Sequence, residues 1–341
     1  SIFIGHIPGV GAYAISGLAV TFPLMNLSSA MGTLVGVGAM TMISVMLGQR
    51  NYENAGKILS NVLSLNLIIG ILFTVLALCF LEPILYFFGA SPNTMPFAKD
   101  YITIILIGNA FTHLYFGFNG IIRAVGKPRL AMALTLFTVI SNVILDPVFI
   151  YGLKMGIQGA AVATGLCQLM ALCYSMRFFL DRGNFLHFPR PLLQLDLRIA
   201  RQTMAIGLGP FLMNVASCIV AVFINQQLRK YGGDLAIGAY GISNRITFMF
   251  VMVVMGLNQG MQPIASYNYG ARQYSRVREV FTLTAKWAVA ATALCFLVCE
   301  LIPGPAVGMF TGDPSLKALS VKGLRIMNCG FALDRKSTRL N

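Results

Sequence analysis

The sequence predicts an all-α, polytopic membrane protein built from two parallel six-helix bundles, about nine or ten transmembrane helices here and twelve when complete. Three observations predict it. Of 341 residues, 57% are hydrophobic and only 11% charged, against about a quarter charged in ordinary soluble domains, which leaves too little polar surface to cover the rest. Apolar runs of membrane-crossing length recur along the chain, each able to span about 30 Å of hydrocarbon. The chain also aligns with itself at an offset of 222 residues, the mark of an internal repeat.

The uncharged or nearly uncharged runs cover 10–47, 58–81, 101–122, 130–151, 156–176, 202–228, 236–268 and 280–302, with a ninth beginning near Leu316. Between them lie short segments rich in turn residues: Phe88-Gly89-Ala90-Ser91-Pro92, Gly126-Lys127-Pro128-Arg129, Tyr151-Gly152-Leu153-Lys154, Lys230-Tyr231-Gly232-Gly233-Asp234 and Pro303-Gly304-Pro305. Residues 177–201 form the one long linker. Alternate loops differ in charge. One set, running from Arg50 and Lys57 through the linker to Arg272, Arg276 and Arg278, holds 13 basic residues, and the opposite set holds 6 (Lys99, Lys154, Arg229, Lys230, Lys317 and Lys322). The positive-inside rule places the first set, with the linker, in the cytoplasm. The net charge of +14 is therefore a topology signal and not a nucleic-acid footprint, since it sits between apolar segments and in no aromatic-interleaved patch. The seven cysteines all fall inside apolar stretches, with no Cys-x-x-Cys pair, and read as free, buried thiols with no disulfide or zinc.

Residues 36–108 align with 258–330 without a gap, with 11 identities in 73 positions. The matched residues are turns and span ends: Gly38 with Gly260, Ser44 with Ser266, Gly48, Arg50 and Tyr52 with Gly270, Arg272 and Tyr274, and Pro83, Phe88 and Pro92 with Pro305, Phe310 and Pro314. Both copies of the basic loop fall in the cytoplasmic set, so each repeat has an even number of spans and the repeats are parallel. That architecture recurs in secondary transporters, with the cavity between the bundles. The expected organisation is an amino-terminal lobe over 1–176 that lacks most of its first helix, the cytoplasmic linker over 177–201, a truncated carboxy-terminal lobe over 202–333 and a non-native tail over 334–341.

Most acids lie at loop or span ends, where water reaches them. Asp146 follows the apolar run 130–145 and precedes Pro147-Val148-Phe149-Ile150, where an ionised carboxylate costs roughly 2.5–3.5 kcal/mol unless paired, hydrated or protonated. Asn142 stands one turn before it, and an amide and a carboxylate at i and i+4 can share a proton, a cation or a water. The opposing view makes Asp146-Pro147 only the mark of a helix kink near the outer surface. Asn119 and Thr164 within their spans are accounted for by interhelical hydrogen bonds, Glu300, Arg245 and Lys286 by snorkelling, and His113 by solitary packing.

Four separated motifs resemble the multidrug and toxic compound extrusion (MATE) family: Gly36-Val37-Gly38-Ala39 with Leu47-Gly48; Leu145-Asp146-Pro147-Val148-Phe149-Ile150-Tyr151-Gly152; Gly156-Ile157-Gln158-Gly159-Ala160-Ala161-Val162-Ala163-Thr164; and Gln262-Pro263-Ile264-Ala265-Ser266-Tyr267-Asn268-Tyr269-Gly270-Ala271. The last is similar to the bacterial multidrug branch. The resemblance implies a MATE-like fold and the export of organic cations in antiport with H+ or Na+, by alternating access, without a cofactor. It implies an ion site on Asn119, Asn142, Asp146 and Thr164, where Na+ is the metal that could bind, together with a helix 1 aspartate that would precede Ser1. The alternatives are a lipid-linked saccharide flippase of the same superfamily, which needs a more basic cavity, and an intramembrane enzyme, which needs a His-Glu-x-x-His or paired-aspartate motif absent from this sequence. The expected protein is a monomeric, multi-pass cell-membrane transporter, not an enzyme, whose partners are organic cations and membrane lipid and not nucleic acid.

Overall fold

A computed structural model of the chain describes residues 11–189, 191–308 and 314–334, and among these every regular element is helical. Of the expected tail over 334–341, Asp334 closes the last helix, and 335–341 lie outside the described residues. Among the described residues seven helical stretches, two of them within Leu197–Gly270, are long and apolar enough to cross a membrane, eight if one bent pair counts as a single span. The chain divides into two compact units, residues 1–218 with 266–272, and 219–265 with 273–341.

In the first unit, α1 (Gly11–Gly48) is 38 residues long and ends in a turn where Arg50 takes a left-handed φ of 59°. The Asn51 side chain caps α2 (Tyr52–Cys79) by accepting from the Asn54 N–H at 3.2 Å. The short α3 (Leu81–Phe87) leads to α4 (Met95–Ile107) and α5 (Asn109–Ala124). These last two correspond to the single run expected over 101–122, and they are bent by 54° at Gly108. At the bend the buried Ser28 hydroxyl donates to Asn109 Oδ1, and His113 Nε2 lies 3.2 Å from the same hydroxyl. His113 is thus one of three polar residues that join α1 to α5, and not a solitary packing residue.

Pro128 opens α6 (Pro128–Pro147), where its missing N–H costs nothing. The helix widens after Pro147 into a π-helical turn over Val148–Gly152, and α7 (Gly156–Leu180) follows. The linker is shorter and better packed than expected. It runs over 181–196, buries Leu186 and Phe188 against Phe118 and Phe179, and is tied to α2 by the Asn61 amide donating to the Asp196 carbonyl at 3.0 Å.

Helical hydrogen bonding then runs unbroken through α8 (Leu197–Gly270), including the expected turn at Lys230–Asp234. Glycines there lower helix propensity by about 1 kcal/mol each but, unlike proline, leave the N–H ladder intact. The chain still reverses within α8. Thr203 packs on Gly38 and Tyr267 on Gly48, positions about 15 Å apart along α1, whereas 64 straight helical residues would extend about 96 Å.

The second unit holds α9 (Tyr274–Leu301), the short α10 (Pro303–Gly308) and α11 (Pro314–Asp334) beside part of α8. These reproduce the first repeat in register. Tyr52–Cys79 and Tyr274–Leu301 are both 28 residues long and begin 222 apart, a short helix follows each, and Arg272 matches Arg50 with φ 58°. The apolar cluster of Ile246, Cys295, Cys299, Val307 and Leu324 forms this unit's core. Arg245 and Lys286 are exposed, and Glu300 lies 3.9 Å from Arg325. The described cysteines are free, but Cys79 and Cys173 are exposed and not buried as expected, because they lie on the outer faces of their helices, where lipid would cover them.

Candidate ion-coupling site

Helix α6 turns most of its apolar side chains outward: Met132, Leu136, Phe137, Val139, Ile140, Val143 and Ile144 are all exposed, as befits lipid contact. Its buried positions are Ala131, Leu134 and Asp146. The carboxylate is 8% exposed, so the sole acid of the span points inward while the hydrocarbon side chains point out.

Asn142 and Asp146 share that inner face. The Asn142 amide donates to Asp146 Oδ1 at 3.2 Å and to Thr164 Oγ1 on α7 at 3.1 Å, and the Thr164 hydroxyl donates in turn to the Ala160 carbonyl at 2.9 Å. The threonine hydroxyl is committed as a donor one turn back along its own helix, so its lone pairs face the amide. Asn142 is then held between a carboxylate and a hydroxyl. An amide can turn its N–H groups toward an ionised carboxylate or its oxygen toward a protonated one, which suits a site that cycles between the two states.

The backbone brings α7 close enough for this. A Cβ on Gly159 would lie 2.7 Å from the Phe149 carbonyl carbon, so only glycine lets α7 pack against the π-helical turn beside Asp146. The kink reading and the site reading of Asp146-Pro147 are therefore compatible: the widened turn follows the aspartate and helps to seat it. Tyr101 from α4 and Cys167 from α7 are both buried and near enough to interact electrostatically with Asp146. Tyr101 also packs with Ile150, Ile157, Ala160 and Ala161, which gives the site an apolar wall. Nothing in the sequence marked Tyr101, because an aromatic at the end of an apolar run looks like an interfacial anchor.

Asn119 does not join the group. Its amide donates to the Ala131 carbonyl at 3.0 Å and to Thr135 Oγ1 at 3.4 Å. Those partners lie 11 residues before Asn142 and Asp146, about 16 Å along α6. Its hydrogen bonds tie α5 to the start of α6, the structural role that an isolated polar residue in a span ordinarily plays. Two further polar links escaped the sequence reading, the Ser28–Asn109–His113 group and the hydrogen bond from Thr112 to Gln168. Both pair residues far apart in sequence, so no local spacing announces them.

The MatE family model matches residues 1–148 and 205–334. The chain belongs to the MATE family. The multidrug export protein MepA of Staphylococcus haemolyticus (strain JCSC1435) is 30% identical over 336 residues, which cover 97% of this chain and 73% of that protein. MepA of Staphylococcus aureus (strain MRSA252) is 27% identical over the same coverage. Among solved structures, the MATE multidrug transporter DinF-BH is similar at a TM-score of 0.85 and 33% identity, covering 95% of this chain and 72% of that one. A MATE protein in its bent conformation has a TM-score of 0.89 at 22% identity, over 97% of this chain and 74% of that one, and supports the fold alone. This MATE chain is a membrane protein of two repeated helical bundles.

The geometry separates the two side chains that flank the Asn142–Asp146 pair. Thr164→Val keeps the shape and removes the acceptor for the Asn142 amide, and it is expected to move the pH midpoint of transport by up to about one unit, the equivalent of one hydrogen bond. Asn119→Ala is expected to lower thermal stability by about 1 kcal/mol and to leave that midpoint in place. pH profiles of dye efflux, with melting curves in detergent, check both; a midpoint shift in Asn119→Ala would restore it to the site.

Proposed function

We propose that this MATE protein is a secondary active multidrug efflux transporter that exports organic cations in antiport with H+ or Na+ by alternating access. The observation that carries this is Asp146, an acid buried inside a lipid-facing helix and hydrogen-bonded to Asn142. A charge placed there is expensive unless it has a use, and a carboxylate that gains and loses a counter-charge supplies one. Ionised, Asp146 attracts a lipophilic cation; neutralised by a proton or by Na+ bound with Asn142 and Thr164, it releases it. The ion must bind the two conformations with different affinity to drive the cycle. The export function of the MepA relatives and the multidrug function of DinF-BH support this reading.

The protein works as a monomer in the cell membrane, with the basic loops and the 181–196 linker on the cytoplasmic side, where drug is taken up. No cofactor takes part. The test is efflux of a fluorescent lipophilic cation from proteoliposomes under an imposed proton or sodium gradient. Transport that follows one of the gradients is the expected result, and its absence under both overturns the proposal.

A further inference from the structure

The segment between α7 and α8 has two faces. Leu186 and Phe188 turn inward and are buried in the core of the first unit. Phe185, Leu192, Leu193, Leu195 and Leu197 turn outward, Leu193 being 60% and Leu197 77% exposed. Gln194, between two of these leucines, is less exposed than either neighbour. A connecting segment that faces water shows the reverse, with polar side chains outward, and a local cluster of exposed apolar residues rimmed by charge marks an interaction site. The ends of the segment indicate what covers it. Gly156–Leu180 and Leu197–Val220 are both long and apolar enough to cross a membrane, so the chain between them leaves the membrane surface at Leu180 and returns to it at Leu197. The hydrogen bond from the Asn61 amide to the Asp196 carbonyl, 3.0 Å long, holds the return against α2. Near the start of the segment Phe185 meets Tyr52 edge-on, with ring centroids 6.2 Å apart and both rings about half exposed. Aromatic rings at the end of a span favour the boundary between headgroups and acyl chains.

The charge beside the leucines is basic. Arg177, Arg182, Arg198 and Arg201 are exposed, and among the described residues none of them is ion-paired. The two aspartates of the segment are engaged by backbone amides instead: Asp181 Oδ1 accepts from the Gly183 N–H at 2.9 Å, and Asp196 Oδ1 accepts from those of Arg198 at 2.8 Å and Ile199 at 3.4 Å. Outward leucines flanked by unneutralised guanidinium groups match an anionic leaflet, whose acyl chains take the leucines and whose phosphates take the arginines in paired hydrogen bonds. A zwitterionic surface would accept the leucines and leave the arginines without a net counter-charge.

We propose that the segment over 181–197, with Arg177 and Arg201 at its ends, is an interfacial anchor that binds anionic phospholipid headgroups of the cytoplasmic leaflet, its outward leucines seated at the top of the acyl chains. The choice of leaflet rests on the cytoplasmic placement of the segment proposed above; the lipid contact does not. Trp287→Phe removes the one native tryptophan, and Leu193→Trp then places a reporter on the outward face. In vesicles of phosphatidylcholine and phosphatidylglycerol, lipid brominated near the head of the acyl chain is expected to quench this tryptophan, about twofold or more strongly when the bromine is on phosphatidylglycerol than on phosphatidylcholine at equal fraction. Raised salt, or Arg182→Gln with Arg198→Gln and Arg201→Gln, is expected to remove that excess. Phe188→Trp, on the inward face, is expected to stay unquenched. Leu195→Trp repeats the measurement should Leu193→Trp fail to fold. An unquenched outward tryptophan overturns the proposal, its emission red-shifted if water covers the segment and blue-shifted if protein does; equal quenching by the two lipids overturns the anionic preference. An impermeant maleimide should label Arg182→Cys, in a background lacking the native cysteines, in inside-out vesicles and not in intact cells. Labelling in intact cells overturns the cytoplasmic placement, a failure distinct from that of the lipid contact, which quenching reads in vesicles of either orientation.

Discussion

Asp146→Asn is expected to uncouple this transporter: dye efflux from proteoliposomes should no longer respond to the imposed ion gradient. Asparagine keeps the size of the side chain and can still hydrogen-bond Asn142, so the helix pair should survive, but it cannot gain or lose a charge. A proton gradient of one unit supplies about 1.4 kcal/mol per proton, enough for roughly tenfold displacement of a cation from equilibrium, and all of that is lost if the only group that reads the gradient is neutral. The folded protein should tolerate the change, since removing a buried carboxylate relieves a desolvation cost. A melting curve at or above the wild-type value together with lost coupling is the expected pair of results. Coupling that survives in Asp146→Asn would move the site elsewhere, and loss of folding would return Asp146 to a structural role.

A second large effect is expected on stability, at the crossing of α1 with the start of α8. A Cβ on Gly207 would be driven into the Leu34 backbone, 2.7 Å from its carbonyl carbon, and one on Gly38 into the Thr203 backbone, 2.8 Å from its carbonyl carbon. Each glycine faces the residue four places before the other, so the helices can relieve an added side chain only by separating. Gly207→Leu and Gly38→Leu are each expected to cost roughly 1–3 kcal/mol or more through overpacking. Gly209→Leu, two residues along and facing open space, should be neutral or stabilising, because it exchanges the poorest non-proline helix former for a good one. Thermal unfolding in detergent, followed by helix signal or by aggregation, ranks the three. Equal melting temperatures for Gly207→Leu and Gly209→Leu would show that the crossing is not tight.

Much of this molecule was legible along the chain. Membrane class followed from composition, the helices from apolar runs, and the repeat from residues such as Gly48, Arg50 and Tyr52, which recur 222 places later because turns and caps demand particular residues locally. The pairing of Asn142 with Asp146 was equally local, one helical turn being enough to bring them together. Thr164 had to be supplied by resemblance and was then found bonded to Asn142. Asn119, supplied in the same way, was not, because a shared motif fixes a residue's place in the sequence and not its depth along the neighbouring helix.

Four features were decided by tertiary structure. They are the bend at Gly108, the burial of the linker through Leu186 and Phe188, the Ser28–Asn109–His113 group, and the reversal of α8 without a break in its helical hydrogen bonding. Each depends on partners tens of residues away. The sequence by itself determined what must be helical and what must face lipid, because hydrocarbon leaves a backbone few other ways to satisfy its hydrogen bonds. Which helices touch, and where glycine lets two backbones meet, came only from the packed structure, since small residues mark a close approach without naming the surface that approaches.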